Sequence, residues 1–419
     1  MYGTLLWRER RVIGLGFTFA EKIIARKAGQ TVHANESVIV NVDVMMASDT
    51  TGPMTIKAFR EMGGIKVAKP ENTVFVLDHA TPCPNERIAA LHKLIRDFCT
   101  EQGCRFFEQN YGVCHQIMME NGLVHEGDLV LGGDSHTCTY GAVGAFSTGV
   151  GATDLGAAIL TGKTWLRVPE TTRIELEGEL PRGVGAKDVI LRMIGDLTAD
   201  GVTYEAVEFA GDTFARFTSE EAATVCNMVI EMGGKNGVFV STLTDSGLIP
   251  DADATYKRVL HFDASNFVPV VSCPHTADNV RRVTEVKEQK VDIVYIGSCT
   301  NGRISDLAIA AEILRGKKVA PGVRLMVCPA SSKVLVKAME KGYIRELIEA
   351  GAMLSTPGCS LCVGTLGGVP ADGEVVLSTT NRNFKGRMGN NKALIYLGSP
   401  ATAAASALTG KITDPREVL

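Results

Sequence analysis

Cys359 and Cys362 stand as a C-x-x-C pair inside PGCSLCVG, and Cys299 stands alone in GSCTNGR, directly after the apolar run VDIVYIG. Thiols so spaced are redox couples, metal ligands or small buried hydrophobes. Pro357 and Gly358 before the pair and VGTLGG after it give no helical pattern, which counts against a redox dithiol. A structural zinc wants four protein ligands, and neither a second C-x-x-C nor an H-x-x-x-H is present. Three thiolates instead suit a [4Fe–4S] cluster with one iron free of protein ligation. Such an iron is a Lewis acid for a substrate hydroxyl and carboxylate. On spacing alone all three readings stay open.

Acid–base groups come next. His79, His115 and His136 are three of eight histidines, each expected in a Gly- or polar-rich loop, and Asp78 and Asp134 lie near two of them. A carboxylate fixes an imidazole's tautomer and raises its basicity, and delivering a proton to a leaving hydroxyl needs such a pair. A lone histidine is more often a core or surface residue. Cys226, Asn227, Met228 and Glu231 read as an ordinary helix face. In NRNFKGR, Arg382 and Arg387 suit bidentate clamping of carboxylates, although a basic surface turn is the plainer reading. Taken together, the residues point to a metal-assisted addition or elimination on a small polycarboxylate.

The elements that must position these groups form a strand–helix rhythm. Thr73–Leu77 is β-rich and runs into Asp78-His79; Glu86–Cys99 follows with one apolar helical face. Asp128–Gly133 runs into Asp134-Ser135-His136, and Val291–Gly297 into the Cys299 loop. Ser305–Gly316 and Ser331–Lys341 read as helices flanking the strand Val323–Pro329, and Glu374–Thr380 leads to the arginines. The fold class is α/β, with parallel sheets covered by helices. Open α/β sheets bind ligands beyond the carboxyl ends of their strands, where these polar clusters fall. At roughly 150 residues per domain, 419 residues suggest several units. The boundaries expected are an extension over 1–15 unattached to any periodic element, then 16–170, 171–284 and 285–419.

Composition narrows the function classes. A net charge of −4 without a block of like charges gives no electrostatic footprint for nucleic acid or membrane. No uncharged apolar stretch of about 18 residues is present to span a bilayer. The start has arginines where a secretory signal has its apolar core. A cytoplasmic setting keeps the eleven cysteines reduced, and Cys99, Cys104, Cys226 and Cys328 read as buried hydrophobes.

GGDSHTCT (132–139), GSCTNGR (297–303), PGCSLC (357–362) and STTNRNFKGR (378–387) resemble signatures of the aconitase superfamily, in the order expected there, and the resemblance runs from about Gly16 to the C-terminus. Within it the chain is similar to the large subunits of isopropylmalate dehydratases and prokaryotic homoaconitases. The resemblance implies three α/β domains around a cleft, with the mobile fourth domain of full-length aconitases lacking. It implies that Cys299, Cys359 and Cys362 ligate a [4Fe–4S] cluster with one open iron. It pairs Asp78 with His79, Asp134 with His115 and Glu231 with His136, with His79 protonating the departing hydroxyl. Ser135, Arg382 and Arg387 would bind substrate, and Asn227, Asn301 and Asn381 would surround the cluster. The reaction implied is dehydration and rehydration of a small hydroxy di- or tricarboxylate, such as isopropylmalate, homoaconitate, dimethylmalate or citramalate. The general base is expected from a separate small subunit. Pro53, where citrate-acting relatives carry a substrate-binding glutamine, favours the dehydratase branch. The rivals are an RNA-binding iron sensor, which the charge disfavours, and an idle metal scaffold.

Overall fold

Short apolar strands buried on both faces form the middle of three sheets in this computed structural model, which describes residues 7–12 and 14–419. The first sheet is wholly parallel, in the order Arg105–Phe107, Thr73–Val76, Val44–Ser48, Leu129–Gly132, Phe146–Gly149. Side chains alternate across it with the two-residue period of a strand. Met45, Ala47, Phe75 and Leu131 face a core with Ile56, Phe59, Ile95 and Phe98 of two helices. Val44, Met46, Val74 and Val130 face the opposite way, onto a core that holds Cys299, Cys359 and Cys362. The sheet is therefore the wall against which the thiols sit.

The second sheet runs Trp7–Val12, Tyr256–Asp263, Thr171–Glu177, Ala206–Ala210, Asn236–Phe239. The third runs Val280–Arg282, Val270–Ser272, Leu394–Gly398, Val375–Ser378, Ile293–Gly297, Arg324–Cys328, Met353–Leu354. One core joins them: Ile174, Leu176, Val207 and Phe209 of the second sheet pack with Ile293, Tyr295, Val376 and Leu397 of the third around the helix Ala186–Leu197. That helix is buried nearly all round, so its apolar residues are not confined to a stripe. Each fully buried Ile, Leu or Met on it contributes roughly 1.5–3 kcal/mol.

Expected and observed elements agree in type. The helix anticipated over Glu86–Cys99 spans Glu86–Gln102, capped by Asn85 and ended at Gly103 in a left-handed conformation. Ser331 is the N-cap of Ser332–Glu340 as its sequence suggests. The helix expected to start at Ser305 begins at Ile304, and Asp306 caps it by accepting from the Arg303 N–H.

Two placements differ. Residues 1–15 were expected to be unattached, yet Trp7–Val12 pairs antiparallel with Tyr256–Asp263 as an edge strand; residues 1–6 lie outside the described ones. The strand is held by its backbone ladder, and its exposed Arg8, Glu9 and Arg10 give no apolar alternation to read. In sheet membership, Val270–Ser272 extends the third sheet through antiparallel pairing with Leu394–Gly398, and Val280–Arg282 pairs antiparallel with Val270–Ser272 in turn. Among the described residues no helix is long and apolar enough to cross a membrane.

Candidate active site

Most groups of the site hang from the carboxyl end of a parallel strand or from a loop that closes over one, while His115, Asn227 and Glu231 come from helices. Asp49 follows Val44–Ser48, Asp78-His79 follows Thr73–Val76, and Asp134 to His136 follow Leu129–Gly132. From the third sheet, Cys299 sits in the single turn Ser298–Asn301 after Ile293–Gly297, and Asn381 and Arg382 follow Val375–Ser378. The Cys359 loop is tied across: its N–H donates to the Asp78 carbonyl at 2.8 Å. Gly358 is needed there because a Cβ would come within 2.7 Å of that same oxygen.

These ends enclose a cavity of about 330 Å³. Cys299, Cys359 and Cys362 line one side, with exposures of 3%, 4% and 1%. Their sulfurs receive donors: Asn227 Nδ2 lies 3.3 Å and Asn381 Nδ2 3.7 Å from Cys299 Sγ, and Arg387 Nη2 lies 3.1 Å from Cys362 Sγ. The Cys359 thiol hydrogen bond, with the Arg387 guanidinium, holds Cys362 well below the usual thiol range against the effect of burial. The Asn227 carboxamide oxygen accepts from Asn381 and Thr300, so the two amides are fixed by each other.

The imidazoles line the facing side. His79 Nδ1 donates to Asp78 Oδ1 at 2.7 Å, His115 Nε2 to Asp134 Oδ1 at 2.9 Å, and His136 Nε2 to Glu231 Oε1 at 2.8 Å. Burial would push His79 down, but Asp78, then Cys359, Asp134 and Asp49, outweigh it and hold the imidazolium well above its usual range. Burial pushes the Asp134 carboxyl up, and His115, His136 and His79 more than reverse this, keeping it ionised. His115 uses both nitrogens, the second lying 3.2 Å from Tyr140 Oη. Glu231 accepts from His136 and also from Arg382 Nε at 2.7 Å. Arg382 and Arg387 complete the rim, and the buried Arg387 Nε has no hydrogen-bond partner.

Thus all three carboxylate–imidazole pairs meet, and the thiols, Asn381 and both arginines face them. Two of the candidate residues are placed elsewhere. Ser135 opens the 3-10 helix Ser135–Val143 and does not line the cavity. Asn301 gives its amide to Asp306 at 3.0 Å and to Thr224, and lines a different cavity behind the Cys299 turn. Nor are the histidines all in loops: His115 lies in the helix Cys114–Glu120 and His136 in that 3-10 helix. Pro53 sits in the first turn of the helix Gly52–Glu61, outside the cavity lining. Cys99, Cys226 and Cys328 are buried as expected, whereas Cys104 is half-buried.

The sequence reading missed Asp49. Its carboxylate accepts from the backbone N–H groups of His79 at 2.9 Å and Ala80 at 2.8 Å, lies 3.4 Å from His79 Nδ1, and meets His92 Nε2 at 3.2 Å. The signal was available, since Asp49 follows the apolar run VDVMMAS as Asp78 follows TVFVL.

Comparison with known proteins adds an independent line. The model of the Aconitase family (aconitate hydratase) matches residues 21–247 and 279–410. The 3-isopropylmalate dehydratase large subunit 2 of Archaeoglobus fulgidus is 49% identical over 418 residues, covering 97% of this chain and all of the relative. The 3-isopropylmalate dehydratase large subunit of Elusimicrobium minutum is 48% identical, covering 96% and 99%. The large subunit 1 from Thermotoga maritima is 47% identical, covering 97% and 100%. A match along nearly the whole length, with the strand-end site intact, makes this chain a member of the aconitase family.

Proposed function

We propose that the chain is the large subunit of a hydro-lyase that isomerises 3-isopropylmalate by removing and re-adding water, a step of leucine biosynthesis, in the cytoplasm. One observation carries this reading: three buried thiols and three carboxylate-oriented imidazoles line one cavity together with two guanidiniums. Membership of the family implies a [4Fe–4S] cluster. The residues fit it, because Cys299, Cys359 and Cys362 converge with N–H donors aimed at Cys299 and Cys362. Bound there with one iron free of protein ligands, the cluster would supply a Lewis acid for the substrate's hydroxyl.

The chain's own residues supply the rest. His79, its Nδ1 locked on Asp78, would hold a proton at Nε2 for the leaving hydroxyl. Asp134 and Glu231 would fix His115 and His136 so that water and hydroxyl are oriented within the cavity. Arg382, anchored through Nε, leaves its terminal nitrogens for a carboxylate, and Arg387 brings its unpartnered Nε. A separate small subunit, as the relatives' names indicate for those proteins, would close the cavity and bring the base that takes the carbon-bound proton.

The test combines the chain with its small subunit after anaerobic reconstitution and assays 3-isopropylmalate, homoaconitate, dimethylmalate, citramalate and citrate. Turnover of isopropylmalate above the others supports the reading; activity on citrate alone overturns it.

A further inference from the structure

Lys187 lies in the first turn of the helix Ala186–Leu197 and is 1% exposed. Two physical terms oppose an ammonium in that position. Burial strips its hydration, and the positive end of the helix dipole disfavours a cation in the first turn. No carboxylate among the described residues lies within 4 Å of Nζ to offset them. Instead Nζ donates to the carbonyls of Thr379 at 2.8 Å and Thr380 at 2.5 Å. These two residues immediately precede Asn381 and Arg382, and Thr379 Oγ1 also accepts from the N–H of Gly297, at the start of the Cys299 turn. The negative groups that act on Lys187 are Asp306, Cys299, Cys362 and Glu231. Asp306 is already engaged by the Arg303 N–H and by Asn301, and Glu231 by His136 and Arg382. Both carboxylates still act on it from beyond 4 Å; of the thiols, burial keeps Cys299 protonated, so only Cys362 adds an anion without a cluster. A [4Fe–4S] core held by three thiolates carries a net negative charge, which is the compensation this ammonium lacks.

We propose that Lys187 is a positioning residue for the cluster: its ammonium holds the Thr379–Arg382 loop in place and supplies the buried positive charge against which the anionic cluster is set. The inference rests on the cluster reading given above. It assigns the lysine two separable effects, a tether through hydrogen bonds and a field through charge. The field favours the more negative, reduced state of the cluster, so losing it makes reduction harder.

The experiment is a redox titration of the reconstituted full chain, followed by electron paramagnetic resonance, on wild type, Lys187→Arg, Lys187→Gln and Lys187→Met. Iron and sulfide content are measured first. A wild-type chain that binds no iron–sulfur cluster overturns the reading of the site itself, and this inference with it. With the cluster present, Lys187→Gln and Lys187→Met are expected to lower the reduced-to-oxidised ratio at fixed potential by about tenfold, equivalent to about 59 mV for one electron. Lys187→Arg should stay near wild type. A ratio unchanged in the neutral variants, or moved equally in Lys187→Arg, overturns the charge assignment while leaving the cluster reading intact. If both neutral variants lose their helical circular dichroism before reconstitution, the ammonium is a folding element and the proposal fails.

Discussion

A proton donor is useful only if its other nitrogen is locked, and Asp78 does that for His79 at 2.7 Å. His79→Asn keeps a polar side chain but cannot hold a transferable proton. Turnover by the assembled enzyme is expected to fall 10²–10⁴-fold, read as kcat with the cluster content unchanged. Asp49 acts one step behind, clamping the backbone of His79 and Ala80 and touching His92. Asp49→Asn keeps the shape but weakens charge-assisted bonds worth roughly 1.5–3 kcal/mol each. The urea midpoint and kcat should drop together, whereas His79→Asn should move kcat alone. The sequence made most of the imidazoles and thiols legible because such residues at strand ends are few. The strand-end position marks Asp49 as it marks Asp78, but no neighbouring histidine in sequence gives it a partner, and His92 lies mid-helix. Their role exists only once Val44–Ser48 and Thr73–Val76 are neighbours. The pairing of Asn301 with Asp306 was equally unreadable, since Asp306 lies five residues on in a separate helix.

Strand and helix types followed from apolar runs and caps, but their order within the sheets did not, because any buried strand of four apolar residues pairs acceptably with several others. Packing decides, and some contacts leave no room. Gly141, in the 3-10 helix that carries His136, would place a Cβ 1.6 Å from the Gly237 carbonyl of the second sheet. Gly141→Ala should therefore cost about 1–3 kcal/mol through forced separation of helix and strand, measured as a lower urea midpoint at unchanged slope. The buried helix Ala186–Leu197 has its own signature. In the cluster-free chain burial pushes Lys187 down to about 7 from 10.5. Between those values the unfolded chain binds the extra proton, so stability contributed by this residue rises with pH from about 7 towards 10. The unfolding free energy of the cluster-free wild type should climb relative to Lys187→Met across that window, by a few kcal/mol at most. A difference that falls with rising pH would contradict the assignment.

At the scale of the whole molecule, the third sheet is joined to the second by a shared core and to the first by the Cys359 loop lying on Asp78. The edge strand Trp7–Val12 lies on the second sheet and contributes nothing to the cavity lining. Removing residues 1–12 should lower the thermal midpoint by exposing the edge of Tyr256–Asp263, with cluster content and kcat kept. Loss of the cluster on that truncation would show that the second sheet transmits strain to the thiols.

The cavity draws on side chains from His79 to Arg387, and its thiols and guanidiniums come from the last third of the chain. A polypeptide leaving the ribosome from its N-terminus presents the acid–base pairs early and the last two ligands late. The binding set is unfinished until Cys359, Cys362 and Arg387 have been made. On the proposed cluster reading, loading with iron and sulfide would wait for those residues, and a product lacking Cys359 onwards would keep only one of the three thiols.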